Sequence, residues 1–146
     1  MIDHVLVDSS VLLKWFHSDA EDEVPEARAL RAAHEGGRID AHVLDLGIYE
    51  VGNVLVRALG WSAGRVAARL DDLLVIIGPA LTMEEQWLRD AARLAERHRL
   101  SFYDAAWAAT AKGLRIPLVS ADRKLLNAAL AVTPTDLVSR WGLLES

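Results

Sequence analysis

With 146 residues, just over half of them apolar, the chain is long enough for one well-buried core and short for two ordinary domains, so one domain over residues 1–146 is expected. The absence of cysteine excludes disulfides, thiolate metal sites, iron–sulfur clusters and a cysteine nucleophile. A formal charge of −5 argues against a broad basic face, and no apolar run approaches the roughly 20 residues that cross a bilayer, so a cytoplasmic protein without a membrane partner is expected.

The first element is the apolar run from His4 to Asp8, which suits a parallel strand covered on both faces and ends in an acid. Ser9 or Ser10 is placed to cap a helix through Phe16, and a second helix starts near Pro25 and stops at Gly36-Gly37. Ile39 to Leu44 reads as a second strand, with Asp45 placed to cap a helix to about Leu59 that Gly60 ends. Ser62 opens a helix through about Ile77; Gly78-Pro79 breaks it before a brief strand at Ala80 and Leu81. Thr82-x-x-Glu85 and Ser101-x-x-Asp104 both have capping-box form and head alanine-rich helical segments. Ile116 to Val119 reads as a buried strand, Asp122 to Ala129 as a short helix, Ala131 to Thr133 as an edge strand halted by Pro134, and Trp141 sits in a helical turn. Short apolar strands alternating with amphipathic helices define an α/β domain with a mainly parallel sheet.

In open α/β sheets, ligands bind beyond the carboxyl ends of the strands. Asp8 closes the first strand and Asp122 lies just past the strand ending at Val119, so both face one crevice if those strands are neighbours. Asp104 occupies the first turn of one helix, and Glu50 lies inside another, on a stripe with Asn53 and Arg57. Gathered together, four carboxylates repel one another unless cations neutralise them, and an all-oxygen set selects magnesium or manganese over zinc or copper. Taken singly, Asp104 serves equally as the third residue of a capping box, Asp122 as a helix cap and Glu50 as a solvated helix residue. The five histidines show no paired ligand spacing. Setting the four acids aside leaves a formal charge of −1, so net charge does not decide against a nucleic-acid partner.

Val5 to Phe16 (VLVDSSVLLKWF), Ile48 to Leu55 (IYEVGNVL), Tyr103 to Ala111 (YDAAWAATA) and Leu118 to Leu125 (LVSADRKL) together resemble the PIN domain, and more narrowly the VapC-type toxins of bacterial toxin–antitoxin pairs. The resemblance runs from about residue 3 to residue 140. It implies a three-layer α/β/α fold and Mg2+-dependent endoribonuclease activity, with Mn2+ as a substitute. The family's acids correspond to Asp8, Glu50, Asp104 and Asp122, of which Asp8, Asp104 and Asp122 would hold metal. Its hydroxyl after the first aspartate corresponds to Ser10, and the one before the last to Ser120. It further implies an RNA substrate, a homodimer and a cognate antitoxin that lays an apolar segment into a groove, of which Leu73 to Ile77 is a candidate part.

Lys14, Arg123 and Lys124 lie near the acids in sequence and are candidates for phosphate contact, and Asn53 for contact with the RNA backbone or with Glu50. Arg89, Arg93 and Arg97 form an i, i+4 row that reads as a solvated face, and Trp107 reads as core or dimer packing. The rival class is a PIN-like module that binds RNA or a partner without turnover; the presence of all four acids ranks it second. A D-x-S-x-S adhesion site fails at Leu12, and neither a Walker loop nor a dinucleotide fingerprint is present.

Overall fold

The computed structural model describes residues 1–144; the last two residues of the expected 1–146 unit lie outside the described residues. The elements run β1 (Asp3–Val7), α1 (Ser9–Phe16), α2 (Val24–Glu35), β2 (Ile39–His42), α3 (Asp45–Arg57), α4 (Ala63–Ile77), α5 (Glu85–His98), α6 (Phe102–Leu114), β3 (Leu118–Val119), α7 (Arg123–Asn127) and α8 (Pro134–Trp141). The sheet order is β2-β1-β3 and both pairings are parallel, His4 lying opposite Asp40 and Val7 opposite Val119. Val5, Leu6 and Val7 are all fully buried although successive side chains of a strand point to opposite faces, so helices cover the sheet on both sides. This is the α/β architecture that the alternation of elements predicts.

The two outer strands expected at Ala80 to Leu81 and Ala131 to Thr133 shrink to single parallel bridges, Leu44 with Leu81 and Val119 with Val132. β3 is shorter than expected because Pro117 has no N–H to give; its carbonyl accepts from Leu6 (2.9 Å) and regular pairing starts one residue later. Several caps differ as well. Asp8, not Ser9 or Ser10, caps α1, its carboxylate accepting from the Ser10 and Val11 N–H groups. Asp45 is the first residue of α3, not its cap. The box at Thr82 does not form: α5 begins at Glu85 itself, behind Glu84, whose side chain makes no capping bond. Ser101 does cap α6, accepting from the Asp104 N–H at 3.1 Å.

α6 packs against β1 and β3, and residues Ala105 to Ala111 along it are all buried, as expected of a helix enclosed on every side. Its small residues let neighbours approach: a Cβ on Gly113 would sit 2.2 Å from the Trp87 indole nitrogen of α5. Trp107 is the one large side chain in that run, and Gly47 of α3 accommodates it, since a Cβ there would lie 2.8 Å from the Trp107 ring.

Candidate active site

Because β1 is the central strand and β3 its neighbour, the ends of both open on the same crevice. Asp8 is 3 % exposed. Ser10 ties the two strand ends together, its hydroxyl accepting from the Ala121 N–H (2.9 Å) and donating to Asp8 Oδ1 (2.5 Å). Ser120, fully buried, accepts from the Asp122 N–H at 2.9 Å, and its hydroxyl also hydrogen-bonds Asp8. Both hydroxyls singled out from the sequence therefore hold Asp8. Asp122 caps α7 by accepting from the Lys124 N–H at 2.8 Å.

Glu50 approaches from α3. Its Oε1 accepts from the Trp107 indole N–H (2.9 Å) and from the Ser9 hydroxyl (3.2 Å). Neither partner stands out in the sequence: Trp107 lies 57 residues away inside an alanine-rich helix, and a tryptophan there signals packing. The indole does pack, at 1 % exposure, yet its single donor is spent on a half-buried carboxylate, as a buried tryptophan N–H requires a partner.

Burial and mutual repulsion dominate the electrostatics. Burial pushes the Asp8 carboxyl up from 3.8 to about 6, against hydrogen bonds from Ser10, Ser120 and Val11, with the nearby Glu50 charge adding to the rise. Glu50 is raised by burial, with Trp107 and Ser9 opposing and the charges of Asp104 and Asp122 adding. Asp104 is raised by burial and by Asp122, while Lys124 partly offsets both. The four acids thus share one electrostatic neighbourhood that is short of positive charge. Among the described residues, no three of them bring carboxylate oxygens within 4.8 Å of one another. Such a spread set does not clasp a bare ion; it would hold a divalent cation that keeps part of its water shell.

The basic candidates divide. Arg123 and Lys124 are exposed at the rim. Lys14 is not: it is 4 % exposed, its ammonium bound to Glu21 Oε1 (3.1 Å) and to the Asp22 carbonyl (2.6 Å), and it braces the loop between α1 and α2. A lysine whose neighbours take up its ammonium is a structural residue, which corrects its expected role in phosphate contact. A cleft of about 530 Å3 opens beside Ser10, Ala121 and Arg123 with that loop as its far wall; none of the four acids lines it. Asn53 and Arg57 are exposed on α3. Arg89 and Arg93 pair with Glu85 and Asp90 on the solvated face of α5. Trp61 is covered by the Arg65 guanidinium, 3.8 Å from its ring centre.

The chain matches the PIN domain family over residues 5–130 and belongs to it. Among its relatives, Ribonuclease VapC3 of Pyrobaculum aerophilum is 30% identical over 145 residues, covering 89% of this chain and 98% of that one. Exonuclease VapC9 of the same organism is 36% identical over 86 residues, 58% of this chain and 63% of the relative, so the chain spans less than two thirds of that protein's length. The crystal structure of PAE2754 from Pyrobaculum aerophilum superposes with a TM-score of 0.69 at 27% identity, covering 97% of this chain and 98% of that one. A toxin-antitoxin complex from Klebsiella pneumoniae shares the fold, with a TM-score of 0.66 at 18% identity over 89% of this chain and 97% of that one.

Proposed function

We infer that this chain is a Mg2+-dependent endoribonuclease, with Mn2+ able to substitute, and the toxin component of a type II toxin–antitoxin pair. The observation that carries this reading is the electrostatic coupling of Asp8, Glu50, Asp104 and Asp122, in which burial and mutual repulsion raise the first three. Such a centre is relieved by a cation. Membership of the PIN family and the names of the VapC relatives support the same activity.

In this reading Asp8, Asp104 and Asp122 hold the metal. When bound, magnesium supplies charge neutralisation at the phosphate and activation of a water for hydrolysis. Ser10 and Ser120 fix the orientation of Asp8. Trp107 and Ser9 fix one oxygen of Glu50, so the carboxylate is aimed either at the metal or at the attacking water. Arg123 and Lys124 receive the RNA backbone at the rim. No side chain is needed as nucleophile: water attacks phosphorus, the bond to the 3′ oxygen breaks and that oxygen takes up a proton, so the products carry 5′-phosphate and 3′-hydroxyl ends.

The antitoxin and the partner copy of a homodimer call for apolar surface. Of the expected groove, Leu73 belongs to the core, whereas Leu74 and Val75 are exposed at 44 % and 84 %; Tyr49 and Val56 are exposed on α3, which packs against α4. A cytoplasmic location and a single nuclease unit over residues 1–146 complete the proposal; among the described residues no helix is long and apolar enough to cross a membrane.

The test is digestion of total cellular RNA by the purified protein with magnesium, with manganese or with a chelator, comparing the wild type with Asp8→Asn and Asp104→Asn. Discrete fragments with 5′-phosphate ends that need metal and vanish in both variants are expected. Identical behaviour of wild type and variants would overturn the reading in favour of a PIN-like module that binds RNA or a partner without turnover.

A further inference from the structure

At the opposite end of β1 from Asp8, the register of the two longer strands assembles a cluster that the proposed nuclease does not use. His4 lies opposite Asp40, and His42 stands two residues beyond Asp40 on the same face of β2. Their ligand atoms form a closed triangle: His4 Nδ1 to His42 Nε2 3.0 Å, His4 Nδ1 to Asp40 Oδ2 3.6 Å, and His42 Nε2 to Asp40 Oδ2 3.8 Å. Donors bound at about 2.0–2.1 Å around a tetrahedral zinc ion stand about 3.3 Å apart. One side of the triangle is shorter than that spacing and two are longer. The short side is a hydrogen bond between the two rings, which stack at 16°, so a bound ion would replace the shared proton and turn the rings toward itself.

We propose that His4, Asp40 and His42 form a second cation site, separate from the acidic centre and suited to a borderline divalent ion such as Zn2+. Two imidazole nitrogens and one carboxylate select zinc, nickel, cobalt or copper over the hard ions that an all-oxygen set takes. His4 and His42 line a hollow of about 310 Å3 together with Leu81, Leu114 and Ile116. Apolar walls strengthen the attraction between the ion and the Asp40 carboxylate by keeping water thin around it.

His34 lies beside this cluster, its Nδ1 3.9 Å from the other Asp40 oxygen, and is already committed. Its Nδ1 accepts from the Ala41 N–H at 3.0 Å and its Nε2 donates to the Ile76 carbonyl at 2.7 Å. His34 is therefore held by both ring nitrogens, tying α4 to the sheet and leaving a three-ligand site. A bound ion would staple the amino-terminal half of β1 to β2 through Asp40 and through His42, the last residue of β2. Asp8 is four residues away along the strand, about 13 Å at roughly 3.3 Å per residue, so the two sites are too far apart to share an ion.

The test uses untagged, chelator-stripped full-length protein carrying Asp8→Asn and Asp104→Asn, which silence the acidic centre. Co2+ alone is titrated as the spectroscopic probe, followed by displacement with Zn2+. One equivalent with the strong visible absorption of a low-coordinate nitrogen and oxygen site is expected. Adding His4→Gln or Asp40→Asn, both at partly exposed positions, weakens it at least about tenfold without changing the circular dichroism. On Zn2+ addition the ring resonances of His4 and His42 shift while those of His34 keep their tautomer pattern. Equal Co2+ binding by all three proteins, absence of the absorption, or ring shifts confined to other histidines would overturn the proposal.

Discussion

The two ends of the central strand solve the problem of grouping ionisable side chains in opposite ways. At the carboxyl end stand four carboxylates, spread apart, with Asp8 braced by Ser10 and Ser120 and Glu50 by Ser9 and Trp107. At the amino end a compact triangle of two imidazoles and one carboxylate is tied by the hydrogen bond between its own two rings. Burial pushes toward the neutral form at both ends, raising Asp8 and lowering His42. The consequence differs because a neutral imidazole is still a ligand, whereas a carboxylate must lose its proton to become one. An acidic centre therefore needs a hydrogen-bonding scaffold to hold like charges in place before metal arrives. A histidine pair can simply lie where strand register puts it.

The sharpest break between the two ends is functional. Asp104→Asn is expected to lower RNA cleavage by more than about 100-fold, beyond the roughly 10–100-fold lost with an outer partner of a metal ligand, and to leave Co2+ binding at the histidines unchanged. Quantitative cleavage assays beside cobalt titrations read both quantities.

Next in size is an effect on stability. With a folded-state pKa of about 6 against 3.8, the folded protein holds the Asp8 proton more tightly than the unfolded chain. That contribution is fully present below pH 3.8 and is lost as pH rises through about 6, so in the absence of metal Asp8 destabilises the fold at neutral pH. Asparagine keeps the cap of α1 and removes the charge. Asp8→Asn is expected to stabilise the metal-free protein by up to about 3 kcal/mol at pH 7 and by almost nothing near pH 4, measured by urea unfolding in chelator. A destabilised variant at pH 7 would show that the carboxylate is not under the tension described.

Trp107→Phe keeps most of the buried ring and removes the N–H held by Glu50. A drop in kcat of about tenfold with little change in KM is expected, because Glu50 is then held by Ser9 alone. The smallest effect belongs to the rim. Lys124→Ala should raise KM for RNA severalfold and reduce the salt dependence of binding by about one phosphate contact.

Much of this was legible in the sequence where a residue's duty is local or fixed by topology. An apolar run ending in an acid places Asp8 at a strand end, and alternating elements place Asp122 beside it. Ser101 caps α6 as its motif requires. Thr82 has the same local pattern and fails, since α5 starts two residues later than the box demands; local patterns compete with packing and do not always win. What stayed hidden depends on pairs far apart in the chain. The Trp107 bond to Glu50, the histidine triangle and the burial of Lys14 arise from helix crossing, strand register and loop closure respectively. None of these leaves a periodic trace.

Gly47 sits one turn before Glu50 on α3, against the six-membered ring of Trp107. The same helix therefore grips the indole twice, through a missing side chain at one turn and a carboxylate at the next. Aim at the crevice is thus set by how closely two helices approach, and methyl-sized growth at Gly47 would retune it with every acid intact. Graded attenuation of the centre is within reach of a position that carries no functional group at all.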